Sequence, residues 1–265
     1  MSAFARNNVI VHGPKDGRPM MFSHGFGCDQ NMWRFVWPAF ADDFRIVLFD
    51  HVGAGGSDPA AFDRTRYSSL HGYADDILAI SRELELRDVV FVGHSVSAMI
   101  GVLAAGAEPD RFGALVLIGP SPRYIDDGDY LGGFSEEDIA GLLESMDANF
   151  LGWSSAMAPV IMGNEDRPEL GEELTNSFCR SDPEIAKQFA RVTFMSDNRE
   201  DLARVRTPSL VLQCFDDPIA PEAVGRYVAG CLPESQYVEL EATGHCPNLS
   251  APQETIAAIR AFVDA

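Results

Sequence analysis

Short runs of apolar, often β-branched residues alternate along the chain with longer stretches whose apolar positions recur every three or four residues. The runs fall at Val9 to Val11, Pro19 to Ser23, Arg45 to Phe49, Asp88 to Val92, Ala114 to Ile118, Ser209 to Gln213 and Tyr237 to Leu240. Near-continuous apolar runs of this length read as strands covered on both faces. Helical spacing lies between them, near Asp29 to Phe40, Tyr67 to Leu86, Val96 to Ala107, Pro221 to Cys231 and Pro252 to Val263. The alternation predicts an α/β fold: a doubly wound, mostly parallel sheet with right-handed crossovers.

The alternation stops after Gly119-Pro120 and resumes at Pro208, and the segment between reads as helix throughout. Ser135 can cap a helix with Glu136, Glu137 and Asp138 in its first turn and Ile139, Leu142, Leu143, Met146 and Phe150 on one stripe. A second helix carries Trp153, Met157, Val160 and Ile161. Pro168 and Pro183 open two more, with Leu170, Leu174, Phe178 and then Ile185, Phe189, Val192 in helical register. Four amphipathic helices must bury their stripes, and the surface large enough is the top of the sheet. The expected organisation is a core of residues 1–121 and 198–265, with residues 122–197 inserted as a cap over a mainly apolar pocket. No internal repeat or low-complexity tract interrupts this reading.

Composition narrows the partners. With 46% hydrophobic and 23% charged residues, the 265-residue chain has the balance of an ordinary globular protein. A formal charge of −20 and a sequence pI near 4.5 repel phosphate backbones and anionic lipid heads, which argues against nucleic acid and membrane surfaces. No apolar run reaches the roughly 18 residues of a membrane span, and residues 1–8 have no signal-like apolar stretch. Five scattered cysteines without CxxC spacing read as reduced thiols in a cytoplasmic protein. Between Arg123 and Arg167 there is no Lys or Arg, while ten acids stand from Asp126 to Asp166. Such a face is usually solvation, but it could also dock a signalling protein.

Gly93-His94-Ser95-Val96-Ser97 follows the strand ending at Val92 and opens a helix that is apolar all round. That is the context of a nucleophile elbow, in which a strained strand-to-helix turn lifts a serine hydroxyl above the sheet edge. Position 97, glycine in the usual G-x-S-x-G, is serine, still small. An acyl-transfer serine needs a base within reach and a third group that fixes the imidazole tautomer, and this fold sets the order Ser, Asp, His. Gly244-His245-Cys246-Pro247 places His245 after the last strand. Phe215-Asp216-Asp217-Pro218 places a carboxylate at an earlier strand end; Asp217 is preferred, with Asp216 as its rival. Backbone donors for an oxyanion are expected at Val96 and, in the His24-Gly25-Phe26-Gly27 loop, at Phe26. Phe26, Phe134, Trp153, Phe189, Phe194 and Ser97 are candidate pocket walls, although each aromatic could equally serve packing within the cap. Gly53-Ala54-Gly55-Gly56 departs from a dinucleotide fingerprint at Asp58, and His24, His51, His71 and His94 have no partners at metal spacing, so neither cofactor nor metal is expected.

The segments Phe22 to Gln30, Phe49 to Gly53, Val92 to Val96, Leu212 to Asp217 and Gly244 to Pro247 resemble the RsbQ-like group of α/β-hydrolases. That group contains a bacterial stress-pathway hydrolase and the plant strigolactone and karrikin receptor hydrolases. Val52, where many α/β-hydrolases have Arg, and Gly132-Gly133-Phe134, Gly152-Trp153, Phe178-Cys179, Gln188-Phe189-Ala190 and Ser196-Asp197 extend the resemblance through the insertion. It implies a triad of Ser95, Asp217 and His245, oxyanion donors at Phe26 and Val96, and a four-helix V-shaped cap over a hydrophobic pocket. The implied activity is hydrolysis of a small hydrophobic ester or lactone through an acyl-serine. The alternative is a small-molecule receptor or signalling adaptor with slow hydrolysis.

Overall fold

The computed structural model describes residues 1–265. Seven strands form a single sheet: β1 (Ile10–His12), β2 (Arg18–Ser23), β3 (Phe44–Leu48), β4 (Val89–His94), β5 (Phe112–Ile118), β6 (Ser209–Asp216) and β7 (Ser235–Thr243). Their order is β1-β3-β2-β4-β5-β6-β7, parallel throughout except where β1 pairs antiparallel with β3. All seven expected strands are present.

Side chains alternate between two cores. Met20, Phe22, Val90 and Val92 point into one apolar cluster, and Met21, Val89 and Phe91 into the other. This is the period of two that a pleated strand imposes. Behind α1 (Ala3–Arg6), α2 (Leu70–Glu83) and α3 (Val96–Ala107) cover the second face, and α9 (Glu222–Cys231) joins them through Val228. On the other face lies α11 (Pro252–Val263), reached through the short α10 (Pro247–Ser250). The helix expected over 29–40 is instead two 3₁₀ turns, Gln30–Trp33 and Trp37–Phe40. Pro38 has no N–H, and its ring crowds the carbonyl four residues back, which disfavours one continuous α-helix through this segment.

Between β5 and β6 stand α4 (Glu136–Ala148), α5 (Phe150–Met162), α6 (Pro168–Arg180) and α7 (Pro183–Phe194), with α8 (Arg199–Leu202) leading back to the sheet. Ser135 and Asp138 form a reciprocal capping box, Oγ accepting from Asp138 N–H at 3.1 Å and Oδ2 from Ser135 N–H at 2.9 Å. Asp182 caps α7 by accepting from Glu184 and Ile185. Helix α5 packs on α6, and α4 on α5 and α7. Ile139, Leu143, Trp153, Leu174 and Phe178 join the same core as the sheet face below them. The chain leaves and rejoins the sheet body at one point, where Asn198 N–H donates to Pro122 O at 2.8 Å.

Candidate active site

Strand β4 ends in a turn at Ser95, whose φ of 57° and ψ of −125° lie where a side chain is strained. The turn is fixed on both sides: Ser95 N–H donates to Ile118 O at 2.8 Å, and a Cβ at Gly93 would sit 2.6 Å from Ser97 O. Val96 is the first residue of α3, so its N–H is among those a helix leaves without an intrahelical acceptor. The Phe26 N–H, in the loop after β2, makes no hydrogen bond within the chain.

Ser95, His245 and Asp217 meet at the ends of β4, β7 and β6. His245 Nε2 lies 2.7 Å from Ser95 Oγ, and Nδ1 lies 2.7 Å from Asp217 Oδ2. Asp217 Oδ1 also accepts from Ile219 N–H at 2.9 Å and Ala220 N–H at 3.0 Å, which locks the carboxylate's rotation. With an acceptor on Nδ1, the imidazole carries its proton there and turns the bare Nε2 toward the serine. The rival Asp216 is exposed; its backbone carbonyl accepts from Gly244 N–H at 2.7 Å, and its side chain does not reach His245. All three meeting side chains are buried, so their interactions are shielded from water.

These groups border a small cavity of about 30 Å³, room for one or two water molecules. Phe26 and Phe194 line it as expected, together with Tyr124, Ile161, Leu174, Phe178 and Ile219. The other expected walls do not. Trp153 stands behind Phe178 and Phe26, with ring centroids 5.5 and 6.3 Å away. Phe189 touches the edge of Phe26 but stacks on Tyr73 at 4.3 Å, in the core behind. Phe134 bridges to Ile125 and packs against the sheet-side core. Ser97 lies beneath the elbow, fully buried, with its hydroxyl turned to the end of β2.

Cys28 and Cys246 also border the cavity. Burial pushes the Cys28 thiol up to about 12 and that of Cys246 well above its ordinary value, so neither is a thiolate at neutral pH. The Ser95 hydroxyl, by contrast, is in hydrogen-bond contact with an imidazole. Burial likewise pushes the Tyr124 phenol up, with Ser95 beside it acting in the opposite sense, which leaves a neutral hydroxyl in the cavity. Tyr124 carries no sequence signal, because it sits in an irregular stretch before the first inserted helix. His94 is held near 3, first by burial and then by the neighbouring His245, and its Nε2–H donates to His245 O at 2.7 Å. It steadies the loop of the base.

Comparison with known proteins bears on the fold and the family. The family model described as "Alpha/beta hydrolase family" matches residues 20–259. The chain is 39% identical to karrikin insensitive 2 receptor CA of Petunia hybrida over 94% of its own length and 93% of the relative's. It is 40% identical to strigolactone esterase D14 of Arabidopsis thaliana, covering 93% and 92%. Among solved structures, a hydrolase from Oleispira antarctica superposes with a TM-score of 0.96 at 40% identity, covering 99% of this chain and 96% of that one. The serine-bearing elbow, the parallel sheet and these identities over nearly the whole length lead to one conclusion: the chain belongs to the α/β hydrolase family.

Proposed function

We propose that the chain is a serine esterase or lactonase acting on a small hydrophobic ester or lactone, and that within its family it falls in the RsbQ-like group. The observation that carries the reading is the continuous line Asp217, His245, Ser95, each contact at 2.7 Å, at the floor of an apolar cavity. In this reading His245 takes the Ser95 proton as Oγ adds to the carbonyl carbon. The N–H groups of Phe26 and Val96 stabilise the oxyanion. The protonated imidazole then gives its proton to the departing alkoxide, the ester C–O bond breaks, and an acyl-Ser95 forms. Water, deprotonated by the same imidazole, releases the acid and restores the serine. The cavity has room for a water or two, so a substrate enters only with movement of the side chains that border it.

A fluorophosphonate tests the reading by intact mass. Wild type is expected to gain one phosphonyl group with loss of fluoride, and Ser95→Ala none; an adduct on the alanine variant overturns the assignment.

A second reading, a ligand receptor or signalling adaptor with slow hydrolysis, is favoured by the name of the Petunia relative and by the base-free acidic stretch from Asp126 to Asp166. Rapid multiple turnover of short aryl esters supports the enzyme. A single slow event with a shifted melting temperature supports the receptor, and a pull-down unaffected by reversing the acids to Lys counts against docking there. The scattered free thiols suit a cytoplasmic setting in either case.

A further inference from the structure

Ser97 stands where the elbow pattern usually has glycine, and its buried hydroxyl is fully engaged. It donates to the His24 carbonyl at 2.5 Å, accepts from the Ser23 hydroxyl at 2.9 Å and contacts His51 Nε2 at 2.8 Å. With the serine proton directed at His24 O, a hydrogen bond in the last contact takes its proton from His51 Nε2, which also lies 3.2 Å from Ser23 Oγ; His51 Nδ1 has no partner within the chain. His24 Nε2 accepts from the His51 backbone N–H at 3.0 Å, which leaves Nδ1–H to donate to Gly25 O at 2.9 Å. Burial lowers both imidazoles below their ordinary range, so both are neutral and their tautomers are set by these bonds.

The bonds join three segments: the first turn of α3, the residue after β2, and the stretch after β3. From His24 the chain needs two residues to reach Phe26. It runs there in contact with the elbow, since a Cβ at Gly25 would lie 2.6 Å from His94 Nδ1 and 3.3 Å from Ser95 Cβ. The spacing between the Phe26 and Val96 N–H groups therefore depends on how the end of β2 is held against α3. Ser97 Oγ is the side-chain atom that holds it.

We propose that Ser97 is a positioning residue whose hydroxyl clamps the His24 carbonyl so that the N–H groups of Phe26 and Val96 converge on one oxyanion. The inference rests on the acyl-serine reading above. A glycine at this place makes no such tie, and removing the hydroxyl leaves the buried His24 carbonyl without its side-chain donor and His51 Nε2 with Ser23 Oγ at 3.2 Å. The two donors then drift relative to each other, which weakens the transition state more than the bound ester.

An oxyanion donor contributes about 10²–10³ in rate, and a donor displaced rather than deleted forfeits part of that. Ser97→Ala is therefore expected to lower kcat on 4-nitrophenyl acetate about tenfold or more, with KM within about twofold. A trifluoromethyl ketone, which adds to Ser95 to form an oxyanion, should bind more weakly by the same factor. Ser97→Gly, the residue of the common elbow pattern, carries the same test if the alanine variant does not fold. Unchanged kcat and ketone affinity with a lowered melting temperature would show that the hydroxyl serves packing alone and overturn the proposal, as would equal losses in kcat and ground-state affinity. Absence of fluorophosphonate labelling in wild type would instead overturn the acyl-serine reading. Labelled wild type with an unimpaired Ser97→Ala removes only the clamp.

Discussion

Replacing Asp217 by Asn tests how the acid is held, because the structure dictates which way the amide must face. Oδ1 accepts two backbone N–H groups, from Ile219 and Ala220. The amide NH₂ cannot stand there without opposing two donors, so Asn must keep its oxygen on that side. Its NH₂ then occupies the Oδ2 position, 2.7 Å from His245 Nδ1. A donor now holds the shorter contact with the imidazole, while Oδ1, 3.0 Å from Nδ1, is already engaged by two backbone donors; the balance shifts toward a bare Nδ1 with the proton on Nε2, facing Ser95 Oγ. The base is present in the wrong tautomer. In serine triads generally this change costs about 10⁴ in kcat, or about 5 kcal/mol of transition-state stabilisation. The turn keeps its hydrogen bonds, so the melting temperature should move by no more than about 4 °C, the equivalent of about 1 kcal/mol in a chain of this size. Initial rates on 4-nitrophenyl acetate, beside thermal melts, measure both. The exposed Asp216→Asn should stay within about twofold of wild type, as surface changes usually do. Retention of more than a tenth of the activity by Asp217→Asn, or a larger loss in Asp216→Asn, would refute the reasoning.

Acid should destabilise the protein through its buried imidazoles. Burial holds His24, His51 and His94 below their ordinary value of 6.5, His94 at about 3. The unfolded chain protonates all three as pH falls through 6.5 while the folded chain does not, so it binds more protons and stability drops with pH below that point. Urea midpoints should therefore decrease from pH 7.5 to 6 to 5, and a flat series would contradict it. Phe194→Ala removes a cavity wall and should cost about 3–5 kcal/mol of stability while shifting preference from acetyl toward longer acyl esters; an unchanged acyl-chain profile would show that the ring does not bound the substrate. Ser135→Ala deletes half of the capping box on α4 and should cost about 1 kcal/mol, read as a melting temperature about 2–4 °C lower with kcat unaffected.

The strands were legible because apolar continuity over five residues is a local signal, and α3 and α11 run over the residues their periodicity predicts. The segment from Asp29 to Phe40 misled because its aromatic spacing is helical while Pro38 disfavours a continuous helix, and two 3₁₀ turns form instead. The meeting of Ser95, Asp217 and His245 was readable for a different reason: each lies directly after a recognisable strand, and the topology brings parallel strand ends to one edge. Pocket walls were not readable in this way. A stripe on a helix says that Phe189 is buried but not that Tyr73, rather than a ligand, lies against it. Ser97 shows the same limit, since its position is explicit in the chain while its partners, His24 and His51, are brought to it only by the pairing of β2 with β3 and β4.

That limit also hid how the inserted helices connect to the chemistry. Ser95 is anchored to the sheet through Ile118 O, whereas the loop of His245 is held both from the sheet, by His94 and Asp216, and from the insertion. His245 N–H donates to Ile161 O, near the end of α5, at 2.9 Å, and Asn164 Nδ2 donates to Thr243 O at 3.0 Å. Arg167, at the start of α6, reaches Ser250 O at 2.7 Å. The contact between Ser95 and His245 thus joins a residue fixed to the sheet with one fixed partly to the roof. The cavity below that roof has room for a water or two, so an ester that fills it moves side chains of its lining, which include Ile161 of α5, Phe178 of α6 and Phe194 of α7 as well as Phe26, Tyr124 and Ile219. Displacement of α5 by even 1 Å would move the imidazole relative to the hydroxyl, enough to change rates by about a hundredfold where alignment is strict. The Ile161 carbonyl is the contact through which such a shift of α5 would reach His245.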